Sequence, residues 1–138
     1  MPNNNSVESR LGDVNFIHPW KPFMYHYKAE VLSIYDADTI TVRIDLGFTN
    51  TTDKVLRLAR INAWELRLEE REDGLKARDW LRSVIPPGTD IMVKTVKDKT
   101  GKYGRYLADI YSYDEECDKF VNLNDELVTM GHAIYKEY

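Results

Sequence analysis

The 138-residue sequence contains a single cysteine, Cys117, so no internal disulfide can staple the chain. None is required, because a chain of this length buries roughly two thirds of its unfolded surface in one domain. There is no apolar run long enough to span a membrane. The start, Met1-Pro2-Asn3-Asn4-Asn5-Ser6, lacks the apolar core of a signal peptide. Excess positive charge is missing too: 19 Lys and Arg face 23 Asp and Glu, for a net charge of -4. That counts against a protein that coats nucleic acid by wholesale phosphate neutralisation, and does not exclude an enzyme that touches a few phosphates. No P-loop, Gly-x-Ser-x-Gly or dinucleotide fingerprint is present. His18, His26 and His132 have no ligand spacing, which argues against zinc. Cys117 sits among Glu115, Glu116 and Asp118, a setting that raises a thiol pKa and argues against a catalytic cysteine. These absences point to a soluble intracellular protein, cytoplasmic or phage-encoded, with no membrane partner.

Residues 1–24 show no sustained period and read as a tail or surface strap; residues 25–138 read as one domain. Lys28 to Asp36 forms a strand with an irregular face. Thr39 to Leu46 alternates, with Ile40, Val42, Ile44 and Leu46 on one side, as a half-buried strand does. Gly47 to Asp53 reads as a loop too long for a tight hairpin, and Lys54 to Ile61 as a third strand. An acidic run from Glu65 to Asp73 leads into a helix whose Ala77, Trp80, Leu81, Val84 and Ile85 share one face. Pro86-Pro87-Gly88 stops it. Asp90 to Val96 and Tyr106 to Tyr113 are two further strands. Between Asp90 and Arg105, five basic residues face two acidic ones. Asn124 is placed as the N-cap of a short helix over Asp125 to Met130, with Gly131 as its stop. Ile134 to Tyr138 would lie against the barrel or fray. The expected fold is mainly β with helices: a five-stranded antiparallel OB-type β-barrel, a helix after strand three and a short C-terminal helix. A split α+β sheet would show the same order.

Arg57 interrupts an apolar strand face shared with Val55, Ala59 and Ile61. A guanidinium there needs a partner or a ligand, unless it reaches water from a strand edge. Asp38 follows Asp36 by two residues, so both carboxylates point to one side of an extended chain. They suit a hard cation, or simply a turn. Asn62 and Glu65 follow at the exit of the strand: an Asn carbonyl is an acceptable calcium ligand, and Glu can orient or deprotonate water. The plainer role for Glu65 is helix-entry acidity shared with Glu69, Glu70 and Glu72. Lys102-Tyr103-Gly104-Arg105 joins a flexible turn to a stacking ring and a bidentate donor.

Together these segments resemble the staphylococcal nuclease (thermonuclease) family. The resemblance runs from about Lys28 to Ile134, through Asp-Ala-Asp-Thr, Leu-Arg-Leu-Ala-Arg-Ile-Asn-Ala-Trp-Glu, Lys-Tyr-Gly-Arg-Tyr-Leu-Ala-Asp-Ile-Tyr and the segment Asn124 to Ala133, in the family's order. It implies an OB barrel with helices beside it. It also implies a calcium-dependent nuclease acting on DNA and RNA, preferably single-stranded, with little sequence preference and 3′-phosphate products; another divalent ion is a possible replacement for calcium. By position, Asp38 resembles the main metal carboxylate, with Asp36 and Thr39 supporting it. Arg57 and Arg105 resemble the phosphate-binding arginines, Glu65 the residue acting on water, and Lys102 and Tyr103 the lining of the nucleotide site. Three departures stand out. Asn62 occupies the place of a second metal Asp. Ala63-Trp64 replaces Thr-Pro, leaving the Ala63 carbonyl as the expected metal ligand. The family's last long helix has no counterpart, with only Tyr135 and Tyr138 near the place of its tyrosines. The alternatives are a catalytically silent nucleic-acid- or protein-binding module of the same fold, and an unrelated structural domain.

Overall fold

The computed structural model describes residues 24–66, 68–100 and 104–137. The strap expected over residues 1–24 lies outside these except for Met24, as do Lys102 and Tyr103.

The alternating segments pair as neighbours. β1 (His26–Asp36), β2 (Thr39–Gly47) and β3 (Asn50–Leu58) form an antiparallel meander. Two register shifts in β1, between Val31 and Ser33 and between Ile34 and Asp36, account for its irregular face. The stretch from Gly47 to Asp53 is not a long loop. Gly47 pairs with Asn50, and Phe48 and Thr49 (φ 56° and 62°) make a two-residue turn. Left-handed backbone at both central positions matches the twist of the flanking strands, so pairing resumes at once. Leu46, expected to face inward, is exposed because the hairpin has left the barrel by then.

β3 ends at Leu58, not at Ile61. Arg60, at φ 68°, turns the chain into the short β4 (Ile61–Ala63). β5 (Asp90–Thr100) and β6 (Tyr106–Asp114) follow, with β5 on the far side of β1. β6 closes the ring by pairing with β3 in parallel, Leu56 opposite Tyr106 and Leu58 opposite Ala108. The five strands β1, β2, β3, β5 and β6 form a closed OB-type barrel, with β7 (Lys119–Asn122) outside it. The closing pair is parallel where the sequence pointed to an antiparallel set. β8 (Ala133–Tyr135) does not fray; it pairs with β4.

Val31, Ile40, Val42, Leu56, Leu58, Val93 and Ile110 fill the barrel and are inaccessible to solvent. α1 (Arg71–Val84) covers one side through Ala77 and Leu81, with Ile85 at its end. Full burial of Leu81 or Ile85 is worth about 1.5–3 kcal/mol each. Val84, expected on the same face, is exposed. Arg82 pins the helix to β1, donating from Nη2 to the Ile34 carbonyl at 2.8 Å.

The second helix, α2 (Leu123–Thr129), is capped by Asn122, whose Oδ1 accepts from the Asp125 N–H at 3.1 Å. Asn124, expected as the cap, is wholly buried instead. Its Nδ2 donates to the carbonyls of Ala59 (2.9 Å) and Ala108 (3.0 Å), and its Oδ1 accepts from Ile110 N–H at 3.0 Å. A carboxamide can donate and accept at once, so this side chain joins α2 to β6 and to the end of β3. Gly131, at φ 81°, ends the helix as expected.

Candidate active site

The site is built where β1 passes into β2 and β3 into β4. Asp36 closes β1, and its Oδ1 accepts from the Asp38 N–H at 3.1 Å, which turns Asp38 inward. Asp38, Thr39 and Arg57 are the buried polar residues here, each less than a tenth exposed. Thr39 lies opposite Arg57 across the β2–β3 ladder, and the Asp38 carbonyl accepts from Leu58 N–H at 2.8 Å. Backbone pairing therefore sets Asp38 and Arg57 side by side before any side chain is considered.

The Asp38 carboxylate has three donors. Thr39 Oγ1 donates to Oδ1 at 3.3 Å, Ala63 N–H donates to Oδ2 at 3.0 Å, and Arg57 Nη2 lies 3.3 Å from Oδ2. Arg57 also binds the turn it precedes. Its Nη1 donates to the carbonyls of Leu58 (2.8 Å) and Ile61 (3.1 Å), and its Nη2 donates to Asn62 Oδ1 (3.1 Å). Arg105 arrives from the start of β6, made a neighbour of β3 by the parallel closure, and its Nη1 donates to Thr39 Oγ1 at 3.1 Å. Arg105, Thr39, Asp38, Arg57 and Asn62 thus form one connected polar chain. The expected anomaly of Arg57 is resolved as burial with partners rather than snorkelling from an edge. Val55, expected to share an apolar face with it, is exposed.

Asp36 and Asp38 do lie on one side, as their spacing required. The Asp36 carboxyl is pushed up to about 7 by burial and by the neighbouring Asp38, an effect that the Asp38 N–H and Thr39 only partly offset. The donors are oxygen atoms, which fit a hard cation such as calcium and not zinc. Among the described residues no group of three or more His, Cys, Asp or Glu is gathered. A cation held by Asp38 and Asp36 would therefore draw the rest of its ligands from neutral oxygens, water and substrate. Asn62 directs its carbonyl at Arg57, and Ala63 meets Asp38 through its N–H.

Glu65 is exposed and lies in the segment between β4 and a 3₁₀ turn (Leu68–Glu70). Its backbone N–H donates to Glu70 Oε1 at 3.0 Å. Gly74, buried in α1, lies against the same segment: a β-carbon there would come within 2.6 Å of the Glu65 carbonyl carbon and 3.0 Å of the Trp64 oxygen. Trp64, where the resembled family has Pro, anchors the segment by donating from Nε1 to the Gly131 carbonyl at 2.8 Å. Gly74 and Trp64 are supports that sequence reasoning passed over. The signal for Gly74 was available: a glycine inside a helical pattern costs about 1 kcal/mol against alanine and usually has a packing reason.

Arg60 was missed as well. It bridges Asp109 (2.6 Å) and Asp125 (2.8 Å), and Tyr135 donates to Asp125 at 3.0 Å. The Arg60 hydrogen bond holds the Asp125 carboxyl below its ordinary range. This cluster ties the β3–β4 turn to α2 and β8. Cys117 is exposed and its thiol is pushed up by the charge of Asp114 and a hydrogen bond to it, in keeping with the inert role expected.

Residues 55–138 match the family described as staphylococcal nuclease homologue. Over an alignment of 116 positions that covers 78% of this chain, it is 30% identical to a Bacillus subtilis (strain 168) protein named Endonuclease YhcR. The chain spans 9% of that protein's length.

Proposed function

Because the chain belongs to the staphylococcal nuclease homologue family, we propose that it is a calcium-dependent nuclease hydrolysing phosphodiester bonds of DNA, RNA or both with little sequence preference. The observation that carries this reading is the convergence of Arg57 and Arg105, from distant parts of the chain, on the Asp38–Thr39 pair. Two guanidiniums held on adjacent residues, in a chain of net charge -4, suit a single anionic group and not a nucleic-acid coat.

In this reading Arg57 and Arg105 bind the scissile phosphate and neutralise the charge that grows on its oxygens in the five-coordinate transition state. Glu65 takes a proton from a water whose oxygen attacks phosphorus on the side away from the leaving oxygen. The bond to the 5′ oxygen breaks, that oxygen takes a proton from solvent water, and a 3′-phosphate end remains. Asp38 would hold the calcium ion with Asp36 supporting it, Thr39 orienting Asp38 and Ala63 fixing its other oxygen. When bound, the ion supplies Lewis-acid polarisation of the phosphate. Lys102 and Tyr103 contact the sugar or base in a single-stranded substrate.

Incubation with denatured DNA, with calcium or with a chelator, tests this. Calcium-dependent cleavage that is lost in Glu65→Gln and in Arg57→Ala is expected; no cleavage with any divalent ion would overturn the reading. A silent binding module of the same fold is favoured by one observation, the lack of a third acidic or histidine ligand among the described residues. Retained binding to denatured DNA with no cleavage would support that alternative.

A further inference from the structure

Asn62 carries a role that its position in the metal site would not predict. The Arg57 guanidinium is held at four points among others: the Leu58 and Ile61 carbonyls on Nη1, and Asn62 Oδ1 and Asp38 Oδ2 on Nη2. Three of these four belong to the chain between the end of β3 and β4, and Asn62 supplies the one side-chain contact among those three. Its carbonyl oxygen accepts from an arginine 3.1 Å away.

The charge balance gives this contact a meaning. Asp38 already places one anion on Nη2. A carboxylate at position 62 would place a second anion on the same nitrogen and leave the guanidinium committed to two carboxylates. A carboxamide fixes the guanidinium plane through one hydrogen bond and adds no charge, so Arg57 keeps its attraction for an incoming phosphoryl group. We propose that Asn62 is a positioning residue for the phosphate-binding arginine and not a ligand of the cation. This rests on the nuclease reading above for the identity of the anion. The structural claim, that Asn62 orients Arg57 for a phosphoryl group, can be measured without any cleavage.

The test uses the full chain with Asn62→Ala, and Asn62→Ser as a second variant that removes the same contact should the first fail to fold. Calcium affinity is measured by calorimetry without nucleic acid. Inorganic phosphate is titrated in chelator while the Arg57 Nε–Hε resonance is followed by NMR. If Asn62 positions Arg57, both variants leave calcium affinity within about twofold of wild type and weaken phosphate binding at Arg57 by about tenfold, the loss of one charge-assisted hydrogen bond. The Arg57 resonance shifts in both. In cleavage assays kcat falls more than KM rises, because the guanidinium is misoriented rather than removed. A loss of calcium affinity of about tenfold or more with unchanged phosphate binding would make Asn62 a metal ligand and overturn the proposal. An unshifted Arg57 resonance, or a wild-type protein that does not bind phosphate at Arg57, would overturn it as well. Absence of cleavage in the wild-type protein, with the phosphate and resonance effects intact, would instead remove the nuclease reading and leave the positioning role standing.

Discussion

Gly74 touches the backbone of Glu65 so closely that a β-carbon on Gly74 would overlap the Glu65 carbonyl group. The first turns of α1 are therefore the wall that fixes where the Glu65 segment lies, and the absence of a side chain at position 74 is what allows the approach. Alanine is the better helix former by about 1 kcal/mol. In a free helix Gly74→Ala would stabilise; here the clash outweighs the propensity, since overpacking costs about 1–3 kcal/mol. Denaturant unfolding should show a net loss, and cleavage should fall by roughly 100-fold, the effect of a misplacement on the order of 1 Å at a reacting group. Stabilisation with unchanged activity would show that the Glu65 segment is free to move aside.

Arg57 and Asp38 form a nearly buried ion pair, with side chains 8% and 11% exposed. Removing one partner strands the other charge. Arg57→Ala should cost about 3–5 kcal/mol in urea unfolding, and cleavage should drop by about 10²–10³. Combining it with Asp38→Asn should restore part of the stability and none of the activity. A double variant no more stable than Arg57→Ala alone would mean that the stranded carboxylate carries no penalty.

The Asp36 carboxyl, raised from 3.8 to about 7, makes stability depend on pH in a definite direction. A folded-state pKa above the unfolded value means the fold favours the protonated acid. Its contribution is complete below about pH 4 and is lost as pH rises from there to about 7. In chelator, Asp36→Asn should therefore raise the unfolding midpoint at pH 8 and leave it nearly unchanged at pH 4. Equal effects at both values would show that Asp36 does not titrate as its surroundings demand.

Asn124 satisfies three buried backbone groups with one side chain. Asn124→Ala should cost about 2–4 kcal/mol through orphaned partners, and Asn124→Asp should not rescue it, because a carboxylate cannot donate to two carbonyls. Thermal unfolding reads both. Activity of the folded fraction at low temperature should be close to wild type, since Asn124 touches none of the proposed phosphate-binding groups.

Periodicity made the barrel strands and the covering helix legible, because Ile40, Val42, Ala77 and Leu81 repeat at the spacings their elements require. It failed where one residue changes the chain's direction. Phe48 and Thr49 are not residues from which a tight hairpin is read, and the left-handed Arg60 breaks a run that looks continuous from Lys54 to Ile61. Asn122 and Asn124 are equally good caps by residue type, and only the pairing of β6 with β7 decides which one is drawn inside. At the site, residue types and order announced Asp38, Arg57 and Arg105 as candidates, and the family resemblance added Thr39. They could not announce that Asn62 turns to the arginine, since an amide oxygen suits a cation and a guanidinium equally well.

The parallel contact between β3 and β6 has a kinetic side. It joins Leu56 to Tyr106 across the whole length of α1 and β5, so its closure costs more than the hairpins of the β1–β2–β3 meander and belongs after them in folding. Arg57 and Arg105, the two arginines proposed to bind phosphate, lie on either side of that seam. Partly folded chains that have formed only the β1–β2–β3 meander hold Arg57 beside Asp38 and have no Arg105 within reach. If the chain cleaves nucleic acid as proposed, activity should return during refolding only after this seam has closed, so that cleavage reports ring closure.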